Sequence, residues 1–566
     1  MKTLWGRPHW GGLALGLLCW WLSLTPSLLP RAWTIQAAIS ALCVLAGYGI
    51  GTLLGWIGHR LLRRAGRQPG PRTRRAAWLA LGVAAVLVVV VGLVSWPGWQ
   101  NDQRVLVALG PISRWVVVPM LPLTLVLILV LGLIGRMIWV AVRAIDAFFA
   151  RRFTRPVAVL ATALVTVVVV RIVATDVVWS GFVDWTNDRF SALDTTTAAG
   201  VEQPTTDTVS GGPGSLVEWD DLGMEGRTFV ASATPQDELA SAPGAPADVT
   251  SPVRVYIGMQ TTDDPQEQAA LAVRELQRTG GFDRAALAVW TTTGTGWVDP
   301  DAAAALEHLY GGDTAIVTVQ YSFLPSWIGF LVDPHAAAPA GSSLFNAVYD
   351  EWVTMPPAER PTLLVFGESL GSYGAEAAFG GFDAATSIAN MVARTGGVLF
   401  TGPTNSNMIW SKLTDERSDG SPVWRPVIDD GASLRVFNNK EELVEIDPDW
   451  AAPRILYVHH PSDPVGSWNW QTIWSRPEWT RDPIGYDVPQ SVRWYPFVTW
   501  TQEVFDLMAG FSAQPDYGHD YSVDFVGAWA NVARPTGWTS ADTLALERYL
   551  AEVKAAAAAD GTSGGS

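Results

Sequence analysis

Cysteine is almost absent. Of 566 residues only Cys19 and Cys43 are cysteine, and both fall inside apolar runs near the start of the chain. No disulfide framework, zinc cluster or thiol nucleophile can therefore be built from the remainder. Histidine is scarce as well: the seven present leave few candidates for a general base. Lysine numbers 4 against 34 arginines, which, with abundant alanine, glycine and tryptophan, suggests a GC-rich bacterial genome. Basic residues thin out after residue 180. Residues 1–180 hold 18 Lys+Arg and 3 Asp+Glu, a formal +15, whereas residues 181–566 hold 20 and 51, a formal −31. So acidic a region lacks the basic patches that neutralise phosphates, and nucleic acid is not expected as a partner. Its acidity fits solubility instead.

Long apolar runs are not lacking, and all of them lie at the front. Five can be drawn: Gly11–Leu29, Thr34–Gly58, Ala76–Trp96, Trp115–Ala141 and Val157–Trp179. Each is near or above the roughly 20 residues a helix needs to cross a bilayer core. A cleaved signal peptide would explain only the first. Arg60, Arg63, Arg64, Arg67, Arg72, Arg74 and Arg75 separate the second run from the third, with no acidic residue among them. Arg143, Arg151, Arg152 and Arg155 separate the fourth from the fifth, whereas Pro97–Arg114 carries only Arg104 and Arg114 against Asp102. The positive-inside rule puts the arginine-rich loops in the cytoplasm. Five spans from a cytoplasmic N-terminus then leave the chain after Trp179 outside, and an even count would reverse that side.

The most informative stretch is Pro361–Ser372, PTLLVFGESLGS. Thr362–Phe366 reads as a buried strand running into Gly367-Glu368-Ser369-Leu370-Gly371, a G-x-S-x-G. In a nucleophile elbow the serine sits on a strained strand-to-helix turn, and the flanking glycines let strand and helix approach closely. Helix-forming residues follow, as that context requires.

A serine hydroxyl is a weak nucleophile and needs a base, which in turn needs an orienting acid. The order in this fold is Ser, then Asp or Glu, then His. Arg454–His460 reads as a buried strand, and Asp463 lies in the loop past its end. His519 follows within Tyr517-Gly518-His519-Asp520-Tyr521. His308 and His335 precede the serine, the wrong order, and His459 and His460 sit on the acid's own strand. His9 and His59 belong to the membrane segments. Asp487 and Asp506 follow no comparable strand, so Ser369, Asp463 and His519 are the expected triad.

The oxyanion formed in acyl transfer needs preorganised N–H donors. One is expected from Leu370, the residue after the nucleophile, and the second from the loop after strand Ala285–Thr291, at Thr293 or Gly294. No metal or organic cofactor is called for.

Further strands are read at Val253–Met259, Thr314–Gln320, Gly397–Gly402 and Val492–Val498, with a hairpin around Asp429-Asp430-Gly431. Helices fall between them at Pro265–Thr279, Asp301–Tyr310 and Ser342–Thr354. Alternation at this spacing argues for a mostly parallel sheet with helices on both faces. The organisation expected is a transmembrane helical domain over 1–180, a partly ordered Thr/Ser/Gly/Pro-rich linker over 181–251, an α/β-hydrolase domain over 252–554 and a disordered tail over 555–566. Within the linker, Leu216–Val230 is less linker-like and suited to docking on the hydrolase. Six tryptophans (Trp468, Trp470, Trp474, Trp479, Trp494 and Trp500) fall between the acid and the base. They are suited to line an acyl pocket, with Trp468, Trp470 and Trp474 foremost, to touch the bilayer headgroups, or to fill a core.

The motifs Thr293–Pro300 (TGTGWVDP), Gln320–Trp327 (QYSFLPSW), Phe366–Gly371, Ser462-Asp463-Pro464 and Gly518–Tyr521 resemble those of the actinobacterial membrane-bound α/β-hydrolases, over almost the whole chain. The resemblance implies a serine hydrolase with esterase or lipase activity in the cell envelope. The reading is an ester hydrolase tethered in the lipid bilayer and acting on acyl lipids or acylated glycolipids outside the cytoplasmic membrane. An acyltransferase using the same triad and a catalytically idle membrane scaffold are the alternatives.

Overall fold

The computed structural model describes residues 9–66, 70–333, 335–510, 513–522 and 525–559. Two compact units emerge, Met1–Phe182 with Trp468–Gly510, and Val183–Ser467 with Phe511–Ser566.

The first unit is built on apolar helices α1 (Trp10–Ser23), α2 (Trp33–Arg64), α3 (Pro71–Leu106), α4 (Val117–Ala150) and α5 (Arg155–Ile172). The four from α2 to α5 are long and apolar enough to cross a membrane. The expected first span is shorter than its sequence suggested. At 1.5 Å per residue α1 covers only about 21 Å, below a hydrocarbon core of about 30 Å, because the chain turns at Leu24 and is held open by polar bonds through Arg31. Glycine lets α1 and α2 meet backbone to backbone. A Cβ added at Gly51 would stand 2.2 Å from the Gly11 carbonyl oxygen, and one at Gly12 would stand 2.4 Å from Thr52 Oγ1. Small residues at such spacing are what close membrane-helix packing requires. At the end away from the arginine-rich loop, Trp96 Nε1 donates to Gln36 Oε1 at 3.1 Å, and Gln36 Nε2 donates to the Ser23 carbonyl at 3.0 Å. Arg67, one of the loop arginines, lies outside the described residues.

The second unit holds a seven-stranded sheet: β1 Val253–Ile257, β2 Ala286–Thr291, β3 Thr314–Val319, β4 Thr362–Glu368, β5 Gly397–Thr401, β6 Leu434–Phe437 and β7 Arg454–Val458. Its order is β1-β3-β2-β4-β5-β7-β6, and every pairing is parallel. Residues of β1, β2, β3 and β5 are buried throughout, as a sheet covered on both faces demands. The connecting helices follow their sequence signals. Pro265–Thr279 begins after Asp264, whose Oδ1 accepts the Gln266 and Glu267 N–H groups, and ends at Gly280 in the left-handed conformation.

Four expectations are corrected here. No hairpin forms at Asp429–Gly431, which is a 3₁₀ turn before β6, and β6 pairs in parallel with β7. Val492–Val498 is not a strand; Val498 instead opens a helix ending at Gly510. The segment 181–251 is no linker. It carries helices Ser180–Asp194, Gly223–Ala231 and Gln236–Ser241, and it buries Val209, Val217, Leu222, Phe229 and Val230 in the core of the sheet unit. Buried Arg227 ties it together by donating to the carbonyls of Asp194 and Thr196 at 2.7 and 2.6 Å. The expected disordered tail is helical to Ala559, because its alanines continue helix Ser540–Ala559; residues 560–566 lie outside the described residues.

Candidate active site

β4 delivers Ser369 to the C-terminal edge of the sheet, where ligands of parallel α/β folds bind. Ser369 has φ 53° and ψ −124° and caps helix Leu370–Glu376, a backbone conformation that costs energy for a non-glycine residue. The turn is held from several sides. The Ser369 N–H donates to the Thr401 carbonyl at 2.9 Å, and the Ser369 carbonyl accepts the Ser372 hydroxyl at 2.6 Å. The two glycines of the motif are sterically required. A Cβ at Gly367 would stand 2.5 Å from the Gly371 carbonyl oxygen, and one at Gly371 would stand 2.3 Å from that of Thr291. Ser369 Oγ is buried and makes no hydrogen bond among the described residues.

Asp463 is fully buried beyond the end of β7. Its Oδ2 lies 2.7 Å from His519 Nδ1 and accepts the Tyr521 hydroxyl at 2.8 Å, while its Oδ1 accepts the Val465 N–H at 2.8 Å. Burial alone would raise this carboxyl, but the His519 imidazole and the hydrogen bonds outweigh it and hold Asp463 below the usual carboxylate range. The His519 ring lies against Gly402, where an added Cβ would stand 2.8 Å from Cε1. Gly402 follows Thr401, whose carbonyl receives the Ser369 N–H, so one strand end touches the neighbourhoods of both serine and histidine. The His519 loop is itself pinned to the Asp463 loop. The Gly518 N–H donates to Ser462 Oγ at 3.0 Å, and His460 stacks on Tyr521 with ring centroids 4.3 Å apart.

The rival histidines have other work. His460 Nδ1 is 3.1 Å from the Gly518 carbonyl. His459 packs on Trp410, and burial holds its imidazole down at about 4, so it stays neutral. His335 Nδ1 bonds the Tyr373 hydroxyl, and His308 Nδ1 bonds the carbonyl of Ala304 in its own helix.

The expected oxyanion donors fare differently. Leu370 is the first residue of its helix, where an N–H has no intrahelical acceptor. Thr293 and Gly294 do not offer open N–H groups. The Thr293 N–H donates to the Trp297 carbonyl at 3.1 Å, and the Gly294 N–H donates to the Tyr321 hydroxyl at 3.1 Å. The loop closes on itself, which its sequence of small residues did not reveal. The three tryptophans expected as pocket do not share one environment: Trp468 is buried, whereas Trp470 and Trp474 are 58% and 65% exposed. All three belong to the other compact unit. Helix Ser326–Val332 instead lies beside the elbow, with Gly329 against Leu370 and with Ile328 and Phe330 buried.

Two groups were missed by reading the sequence. Tyr521 was visible beside His519, but its hydrogen bond to Asp463 depends on the folded loop. Glu376 is buried behind the elbow, where its Oε1 accepts from Asn407 Nδ2 at 3.0 Å and from the Tyr457 hydroxyl at 2.9 Å, and Asn407 Nδ2 also donates to Ser372 Oγ at 2.9 Å. Burial raises Glu376 to about 7 despite these bonds.

Two family models match the chain. One, described as an α/β-hydrolase family, covers residues 253–546, and the other, described as the N-terminus of that family, covers residues 24–234. No curated protein and no solved structure matches it.

Proposed function

The chain belongs to this α/β-hydrolase family, and from that premise we propose that it is a membrane-anchored serine ester hydrolase. The observation that carries the reading is the strained Ser369 on its elbow together with the 2.7 Å contact between His519 and Asp463. Ser369 Oγ attacks the ester carbonyl while His519 Nε2 takes its proton, and the N–H of Leu370 meets the developing oxyanion. Asp463 fixes the tautomer with the proton on Nδ1 and stabilises the imidazolium. His519 then protonates the departing alcohol, and water, deprotonated by the same histidine, releases the acid and restores Ser369. Acyl lipids or acylated glycolipids are the substrates that suit four long apolar helices, since the tether keeps the site at the bilayer.

The catalytic unit faces the exterior in this reading. Arg151 and Arg152 precede α5 and Arg155 opens it, which holds its start inside, so α5 exits outward whether or not α1 spans. The short α1 thus changes the count of spans without changing the side. This departs from the expectation drawn from a fixed cytoplasmic N-terminus, because the loop arginines and not the N-terminus set the orientation in this reading.

A fluorophosphonate probe tests the chemistry, because only an activated serine is labelled rapidly. Wild-type protein should be labelled, and Ser369→Ala should abolish both labelling and ester turnover while the protein stays folded in detergent. His519→Ala should be about as severe, since residues acting as a unit are non-additive. Turnover surviving in Ser369→Ala sinks the reading. Products analysed with an added acceptor alcohol distinguish hydrolysis from acyl transfer.

A further inference from the structure

The chain between the acid and the base belongs by its contacts to the membrane unit. It enters that unit at Trp468, just after the Asp463 loop, and leaves it at Gly510, just before the His519 loop. Its helix Val498–Gly510 closes onto the C-terminal end of α1, where a helix presents carbonyls it cannot satisfy itself. Gln502 Nε2 donates to the Thr25 carbonyl at 2.9 Å and the Ser23 carbonyl at 3.3 Å. The Arg31 guanidinium donates to the same two carbonyls at 2.7 and 3.5 Å. One turn further along, Asp506 Oδ2 accepts the Leu28 N–H at 3.1 Å and faces the Arg31 charge. All three side chains are buried. An apolar seat surrounds them, with Val498 packed on Ile39 and Cys43 and flanked by Ile35, Leu22 and Phe505.

Tethering alone asks for none of this, because α5 already joins the catalytic unit to the membrane helices. Buried charges and amides are costly unless partnered, and Gln502 Nε2 and Asp506 Oδ2 meet the partners described here only while the connector helix is seated. We propose that Arg31, Gln502 and Asp506 form a latch by which the membrane helices hold the acid–base connector in place, so that the helices are a working part of the catalytic machinery. The proposal rests on the reading of Asp463 and His519 as acid and base. Displacement of the connector is transmitted along the backbone to the two loops it joins, and misplacement of catalytic groups by about 1 Å can cost about 10²-fold in rate.

The test uses the full-length protein in detergent and a small soluble aryl ester. Gln502→Ala with Asp506→Ala should lower kcat at least about 10-fold while KM stays within about twofold, and fluorophosphonate labelling should slow in parallel. Thr501 supplies the rescue, because its side chain, whose hydroxyl donates to the Phe497 carbonyl at 2.8 Å, lies beside the Cys43 thiol. Adding Thr501→Cys and Cys19→Ala to the double variant and oxidising with copper phenanthroline should lock the connector to α2 and restore kcat, reversibly with dithiothreitol. Wild-type kcat in the unlocked variant overturns the latch, and so does a locked variant that is folded but as slow as its reduced form. If the unlocked variant does not fold, the locked one decides alone. Failure of the triad reading is separate: it shows as Ser369→Ala activity in an otherwise unaltered protein.

Discussion

Tyr521 donates the third hydrogen bond to Asp463, alongside His519 and the Val465 N–H. Hydrogen bonds to a charged acceptor contribute about 1.5–3 kcal/mol, so Tyr521→Phe should lower kcat/KM by roughly 10-fold or more. Losing a donor to the carboxylate also raises its pKa, so the acid limb of the pH–rate profile should move to higher pH. An unchanged profile would reduce Tyr521 to a packing residue. At this scale much of the candidate site was legible. Ser369 announced itself through a local motif, of which Gly367 is dictated by Gly371 four residues on and Gly371 by the Thr291 carbonyl at the end of β2. Asp463 and His519 followed from chain order and from the ends of elements. The N–H groups of Thr293 and Gly294 were not legible, because a distant hydroxyl, Tyr321, and the far side of the loop, Trp297, decide their use.

Elements were readable where periodicity and caps agree, as in Pro265–Thr279, and misread where composition spoke alone. The Thr/Ser/Gly/Pro-rich stretch after α5 resembles a linker until Arg227 and its carbonyl partners are seen closing it. The apolar run at the N-terminus looked like one more span, yet Arg31, Gln36 and Gln100 cut α1 short: Gln100 Oε1 accepts the Arg31 N–H at 2.6 Å. Helix order carries a topological prediction of its own. A reporter in the α4–α5 loop, residues 151–154, should behave as cytoplasmic. One in the α3–α4 loop, residues 107–113, and one after Ala559 should both behave as extracytoplasmic. If the reporters at 151–154 and after Ala559 report the same side, the outward-facing hydrolase is wrong.

Over the whole molecule, buried acids set a direction for stability against pH. Burial raises Glu376 to about 7 and Glu503 to about 8 from an ordinary 4.5. The stability they contribute is complete below about 4.5, where both are neutral in either state, and is lost as pH rises through those two values. His459, depressed from 6.5 to about 4, acts in the opposite sense, but only below 6.5. Between pH 6.5 and about 8.5 the thermal midpoint should therefore fall as pH rises, and Glu503→Gln, whose side-chain oxygen still accepts from Trp479 Nε1, should flatten that slope. A midpoint that climbs over the interval contradicts the argument.

The discontinuity of the membrane unit also sets an order of birth. Helices α1 to α5 leave the ribosome first, with Arg31 made but Gln502, which shares its carbonyl acceptors, and Asp506, which faces its charge, not yet synthesised. At about 5–20 residues per second, the chain from residue 183 to residue 510 takes tens of seconds to emerge. Through that interval the helical unit waits incomplete, and its last piece arrives only after β4 has been made. The helical unit is thus begun first and finished late, so a nascent chain stalled before residue 498 would carry all four long apolar helices and still lack a closed bundle.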